Sequence, residues 1–337
     1  MIDFRSDTVT KPSKEMLEVM FNAPVGDDVY GEDPSVNELQ IFAAKLFGKD
    51  AALFCTSGTQ TNQIAINVHV KPGGEVICHE DSHVYKYEGG GIAKNSGASV
   101  RLTSGAYGQL NPAELHQYIQ PDDVHFPITQ LVSIEDTANR GGGAVYNFET
   151  IQQLRKITQE NSIPLHLDGA RVFNALTHSR IPIREYAANF DSISVCLSKG
   201  LGAPVGSLLL GSHAFIAQAK RVRKVMGGGM RQAGYLAAAG LFALKNNVQR
   251  LSIDHEHAKM IESALQNNPH ITQILPVHTN IVIFHVANEL KRNEIITKLS
   301  GNGVLVSAFG PTAIRLVTHL DISTSDIEQT IQHFSKL

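Results

Sequence analysis

Short β-prone runs alternate with longer stretches of helical spacing from about residue 50 to residue 210. Ala51–Cys55, Glu75–Cys78, Ser99–Leu102, Gln130–Ile134, Ile163–Leu167, Ser192–Leu197 and Gly206–Leu210 read as strands. Leu131-Val132-Ser133-Ile134 and Ile193-Ser194-Val195-Cys196-Leu197 show no clear in/out alternation. Strands covered by helices on both faces have that pattern, which predicts a mostly parallel seven-stranded sheet in an α/β fold. Between strands, Phe148, Ile151, Leu154 and Ile157 recur at helical spacing and predict a helix over Phe148–Glu160. Ile64–Val70 reads as another.

The pattern changes after about Gly229. Two long helices are expected at Gln232–Asn246 and Val248–Asn267. Short strands follow at Asn280–His285, Val304–Val306 and Ile314–Val317, with helices at Lys291–Leu299 and Ser325–Ser335. The division predicted is a large domain over residues 12–245 and a small α+β domain over 246–337. An N-terminal arm, residues 1–11, lies near the site. The Pro12–Asn22 segment is compatible with packing on either domain.

A chain of 337 residues readily buries a core for both units. Its 18% charged residues and net charge of −3 leave no basic excess to attract nucleic acid. Cys55, Cys78 and Cys196 lie in or beside apolar runs, so buried free thiols are expected rather than disulfides. Met1 to Arg5 carries charges where a signal peptide needs an apolar stretch. Ala233–Leu244 is too short to span a bilayer, which takes about 20 residues. The expectation is a cytoplasmic chain with no membrane or nucleic-acid partner.

Ligands of open α/β sheets bind beyond the carboxyl ends of the strands. There, Leu165-His166-Leu167 leads into Asp168 and then Arg171, while Ile193–Leu197 leads into Ser198-Lys199-Gly200. A lysine that forms an imine and a buried carboxylate that keeps a ring nitrogen protonated together suit pyridoxal phosphate (PLP). The same two residues also make sense as a plain buried ion pair. Arg171 is placed to meet a ring hydroxyl or to neutralise Asp168. Thr56-Ser57-Gly58-Thr59-Gln60, between a strand and a helix, offers an anion cradle at a helix N-terminus, or an ordinary cap.

His79-Glu80-Asp81-Ser82-His83 matches the H-E-x-x-H zinc pattern. That chemistry needs both histidines on one helix, and a strand leads into the first, so no metal is expected. His83 at this turn is either a surface residue or one that lies flat on an aromatic ring. Lys220, Arg221, Arg223 and Lys224 read as a solvated helix end. Gly227-Gly228-Gly229 permits close approach to a ligand or a neighbouring subunit. Arg315, alone in the apolar run Ala313–Val317, is an edge residue or a carboxylate clamp. His255 and His257 read as surface residues of a helix.

With these blocks in place the chain resembles the low-specificity L-threonine aldolases, PLP enzymes of the aspartate-aminotransferase fold (fold type I). The resemblance rests on Ile2–Thr10, Gly26-Asp27-Asp28-Val29-Tyr30-Gly31, Ser57-Gly58-Thr59-Gln60, His166–Arg171, Cys196–Gly202 and Gly227–Gln232. It implies Lys199 as the Schiff-base lysine, Asp168 as the ring-nitrogen partner, and Gly58 with Thr59 at the phosphate. It also implies His83 on the cofactor ring, and Ser6, Arg171 and Arg315 at the substrate carboxylate. His125 is implied near the β-substituent of a small amino-acid substrate. The family's homotetramers, built from catalytic dimers, imply that Tyr30, Lys224 and Arg231 serve a neighbouring subunit. The implied reaction is retro-aldol cleavage of L-threonine or L-allo-threonine. Alternatives on the same scaffold are β-elimination, racemisation and serine hydroxymethyl chemistry. Glu135-Asp136-Thr137-Ala138-Asn139 departs from the family's Glu-Asn-Thr-His-Asn, and both changes are expected on the cofactor side of the sheet. Tyr87 stands where phenylalanine is frequent.

Overall fold

The computed structural model describes residues 1–336. Its strands in chain order are β1 (Ile2–Asp3), β2 (Ala51–Cys55), β3 (Glu75–His79), β4 (Ser99–Thr103), β5 (Thr129–Glu135), β6 (Leu165–Gly169), β7 (Ser192–Cys196) and β8 (Ser207–Gly211). They are followed by β9 (Ile271–Ile274), β10 (Ile281–Val286), β11 (Val304–Leu305), β12 (Ser307–Ala308) and β13 (Ala313–Val317). A seven-stranded sheet has the order β2-β8-β7-β6-β5-β3-β4. The β8 strand runs antiparallel to β2 and β7, while the pairings among β7, β6, β5, β3 and β4 are parallel. This is the α/β fold that the unalternating strands predict.

Boundaries moved where local chemistry intervened. β6 begins at Leu165 rather than Ile163, because Pro164 has no N–H to give a ladder. The helix expected from Ile64 begins at Gly58, where Ser57 Oγ caps the Gln60 N–H. Its polar first turns conceal it from an apolar count. The helix Pro34–Phe47 joins the expected set, with Asp33 capping Val36 N–H, proline at its first turn and Gly48 left-handed beyond its end. The edge strand β9 is half-exposed and weakly patterned.

The large core packs helices on one face of this sheet and includes Met16 of the helix Lys14–Phe21, which packs on the helix Gly234–Asn246, while smaller clusters around Ile64 with Phe215 and Ile66 with Ile92 cover the other face. A second core unites Ile2 and Phe4 with Ala258, Val282, Phe284, Leu316 and Phe334. The N-terminus is tied there because β1 pairs parallel with β11. The helix Leu251–Leu265 touches both cores, so its histidines are not surface residues as expected. His257 is 4% exposed and meets Thr324 at 3.1 Å, while His255 Nε2 meets Asn174 at 3.0 Å and burial pushes it down to about 4. Arg223 likewise departs from the solvated-helix reading: it is 6% exposed, donating to the Phe54 carbonyl and to Asp28.

Alternation along β5 overturns one expectation. Glu135 turns toward His83, but Asp136 turns into the core, accepting from Tyr186 Oη at 2.6 Å and Tyr146 N–H at 3.3 Å. The added carboxyl is therefore not on the side of the candidate site. Ala138 is buried and its backbone bridges Ala144. Burial pushes Asp136 up to about 7 against the lowering effect of both tyrosine contacts. The folded chain thus holds a proton that the unfolded chain, near 3.8, releases. Stability from the neutral carboxyl is complete below the unfolded value and is lost as pH rises toward the folded one. Asp136→Asn should stabilise by up to about 4 kcal/mol at about pH 8 and by little at about pH 4. Thermal melts of both proteins at the two pH values check this, and a pH-independent difference would refute it.

Candidate active site

Strands β3, β5, β6 and β7 deliver side chains to one end of the sheet. Asp168, 2% exposed near the end of β6, accepts from Asn62 Nδ2 at 2.9 Å through one oxygen and from Ala170 N–H at 3.2 Å through the other. Lys199 leaves the neighbouring strand three residues beyond β7 and lines one small cavity with Gly169, Ala170, Arg171 and Cys196. Thr10 Oγ1 donates to the Lys199 carbonyl at 3.0 Å, so the N-terminal arm braces this loop. Gly202 has φ 77° and lies against Leu320, so a side chain there would be strained and would press on that leucine.

His83 opens a short helix, His83–Lys86, after β3. Its backbone N–H donates to Glu135 at 2.8 Å and its Nδ1 lies 2.9 Å from Glu88, leaving Nε2 free. Burial opposes a charge on this ring. The hydrogen bond to Glu88 and the charges of Asp168, Glu88 and Glu135 outweigh it and raise the His83 pKa. Facing Asp168, burial likewise raises the Glu135 pKa. Tyr87 lies 5.7 Å from His83, tilted by 37°. His79 ends β3 with its Nε2 on the Gly105 carbonyl at 3.1 Å, so the two histidines of the zinc-like pattern share no helix.

The arm also builds a cationic recess. Asp7 is fully buried and takes Arg171 Nε and Nη2 at 2.7 Å each. Burial works against the Asp7 charge, but Arg171 outweighs it, helped by Lys199 and Asn280, and holds the carboxyl at about 2. Arg171 therefore neutralises Asp7 and not Asp168. Arg315 donates to Asn139 Oδ1 and to the Arg5 carbonyl at 2.9 Å each, and its buried Nε has no partner. Burial first, then the nearby Arg171 charge, lowers Arg315 to about 10. Ser6 is one residue from both that carbonyl and Asp7, with its Oγ 2.8 Å from Thr8 Oγ1. Two desolvated guanidiniums with one carboxylate between them are one anion short.

Gly58 and Thr59 begin the helix after β2, where first-turn N–H groups have no intrahelical partner. The buried Ser207 hydroxyl, unpartnered, stands 3.7 Å from where a Gly58 Cβ would be. Gly228 packs so closely on the Gln60 amide that a side chain there would collide with it. The donor set fits PLP: an amine, a buried carboxylate, an aromatic-sized ring and unspent donors for a phosphate.

Other expected residues stand apart. His125 is exposed on the loop entering β5, 2.7 Å from Asp123 and at the opposite end of that strand from Glu135. A seven-residue strand separates those ends by roughly 20 Å, so the single chain does not bring His125 to the cluster. Tyr30, Lys224 and Arg231 are exposed, with Arg231 3.4 Å from Asp27. Missed in the sequence were Asp7, Asn62, Glu88 and Glu135. The signal for Asn62 was a polar residue on what became the inner face of a helix.

The beta-eliminating lyase family matches residues 3–289. The low specificity L-threonine aldolase of Escherichia coli K12 is 43% identical, covering 99% of this chain and 98% of that protein. Low-specificity L-threonine aldolase 1 of Arabidopsis thaliana is 39% identical over 99% of this chain and 96% of its own. Among solved structures, a threonine aldolase of Leishmania major gives a TM-score of 0.88 at 21% identity, covering 100% of this chain and 99% of that one. A putative L-allo-threonine aldolase of Listeria monocytogenes gives 0.83 at 21% identity, covering 99% and 96%. Those two likenesses establish the fold, and the sequence matches establish more: the chain belongs to the beta-eliminating lyase family and, within it, to the low-specificity L-threonine aldolases.

Proposed function

We propose that this chain uses PLP to cleave L-threonine and L-allo-threonine into glycine and acetaldehyde. The observation that carries the reading is the convergence of Lys199, Asp168, the His83–Glu88 pair and the Arg171–Arg315 recess at one sheet end, in a chain 43% identical to a named aldolase. Bound there, PLP supplies an electron sink for the pair released when a Cα–Cβ bond breaks. Lys199 would hold the cofactor through its amine. Asp168 keeps the ring nitrogen protonated, and Gly58 and Thr59 offer N–H groups to the phosphate. Arg315, Arg171 and Ser6 receive the substrate carboxylate, supplying the missing anion. That contact would orient the substrate's Cα bonds toward a bound cofactor. His83, its Nδ1–H directed at Glu88, presents Nε2 to take the β-hydroxyl proton, and a proton returned to Cα completes glycine.

Tyr30, Lys224 and Arg231 fit a neighbouring copy's site in a homotetramer, because exposed Val29, Tyr30 and Val225 flank the buried Asp28–Arg223 pair. His125, exposed and distant from its own chain's cluster, belongs to this group. Cys55, Cys78 and Cys196 are buried free thiols, which fits a reducing cytoplasm. No helix among the described residues is long and apolar enough to cross a membrane.

Incubation with L-threonine, L-allo-threonine and L-serine, assayed for aldehyde and glycine, tests the reaction. Ammonia and a keto acid in their place would favour β-elimination, the chemistry in the family's description. Lys199→Ala should abolish cleavage and the borohydride-fixed cofactor label, and wild-type cleavage by that variant would sink the scheme. His83→Phe keeps a ring to stack but offers no base, so kcat should fall about 10²-fold with the cofactor retained. Arg315→Lys should raise KM about tenfold while changing kcat less, because a point charge replaces a planar fork.

A further inference from the structure

Beneath Asp168 a line of polar groups runs back from the sheet end between the strands and the helix Gly58–His69, which supplies Asn62 at its start and the half-buried His69 at its end. Asn62 Nδ2 donates to Asp168 at 2.9 Å and to Glu88 Oε1 at 2.9 Å, and Asn62 Oδ1 lies 3.1 Å from His166 Nε2. His166 Nδ1 lies 2.8 Å from Ser192 Oγ, which lies 2.8 Å from His69 Nε2. Asn62 is 1% exposed and His166 and Ser192 are fully buried; His69 stacks on Phe215 at 4.7 Å.

Only one set of hydrogens satisfies this line. Two carboxylates face the Asn62 nitrogen, so its amide must donate to them and its oxygen must accept. His166 then carries its proton on Nε2 and accepts at Nδ1 from Ser192, whose oxygen accepts from His69 Nε2–H. Every donor points toward the carboxylates. Burial pushes His166 down to about 3 and His69 to about 4, so both rings stay neutral and relay polarisation without delivering a proton.

We infer that Asn62 is a positioning residue that fixes Asp168 as an oriented anion under the cofactor ring, with His166, Ser192 and His69 as its relay. The same amide grips Glu88, and Glu88 grips His83, so one side chain sets both the ring-nitrogen partner and the stacking imidazole. Glu135 from β5 and His83 and Glu88 from the 83–88 segment face Asp168. Of these, both glutamates oppose its charge, which makes the donation from Asn62 the stronger requirement. The inference rests on the PLP reading of the site.

The test compares PLP affinity and the pH midpoint of the visible cofactor band in wild type, Asn62→Ala, Ser192→Ala and Ser192→Thr, each checked for folding by circular dichroism. Asn62→Ala should weaken PLP binding about tenfold, the loss expected for a buried hydrogen bond to a charged group. Its midpoint should rise, because a ring held less firmly protonated withdraws less electron density from the lysine imine. Ser192→Ala should shift both readouts the same way by less, and Ser192→Thr, which keeps the hydroxyl, should restore them. A folded Asn62→Ala with unchanged affinity and midpoint overturns the proposal. If that variant does not fold, unchanged values in Ser192→Ala overturn it instead. A wild-type protein that takes up no PLP would defeat the PLP reading itself, a result distinct from any difference among variants.

Discussion

The buried pair between Asp7 and Arg171 is the contact on which the rest of the site depends. Asp7 comes from the N-terminal arm, whose Ile2 and Phe4 belong to the small core, and Arg171 follows β6 of the large sheet. Asn280, which lies 3.4 Å from Asp7 and donates to the Thr318 carbonyl, brings in the C-terminal sheet. One bidentate ion pair therefore joins three segments distant in sequence. Removing one partner of such a pair leaves an uncompensated buried charge, at a cost of about 3–5 kcal/mol. With both partners present, the arm is fixed, and Ser6, the Arg5 carbonyl and Thr10 are fixed with it. Arg315 and the Lys199 loop lean on those last two groups.

That pairing also decides what charge remains for a ligand. Asp7 consumes two of the Arg171 donors, and Arg315 spends two on neutral oxygens. The recess keeps one uncompensated positive charge, suited to a single carboxylate. A few residues away the balance reverses: Asp168, Glu135 and Glu88 crowd together with His83 as the titratable partner. The site is polarised, cationic around Arg315 and anionic around Asp168. An amphoteric ligand with a carboxylate at one end and a protonated heterocycle at the other matches that field.

Residues whose role follows from strand order were legible in the sequence. Asp168 and Lys199 end apolar strands, and a parallel sheet sends such ends to one side. Residues whose role follows from side-chain reach across elements were not. Asn62 looks like one polar residue in a helix's weakly patterned first turns, and only the packed sheet reveals that its face points inward. Arg223 reads as solvated because helix ends usually are; the partner that buries it, Asp28, lies 195 residues earlier. Asp136 shows the limit of reading a single substitution. Its place beside Glu135 suggested the site, but alternation along a strand sends neighbours to opposite faces.

The same alternation explains why Glu135 and not Asp136 takes part. At the end of a strand the last side chain on the ligand face has no further residue to shield it, so Glu135 meets the backbone N–H groups of His83 and Asn139. It ties the turn after β3 to the turn after β5. Those turns carry His83 on one side and Asn139, the support of Arg315, on the other. Through those backbone contacts Glu135 sets the spacing between His83 and the Asn139–Arg315 contact. One buried side chain at a strand end, through two backbone hydrogen bonds, therefore couples two turns that neither strand joins to the other along the chain.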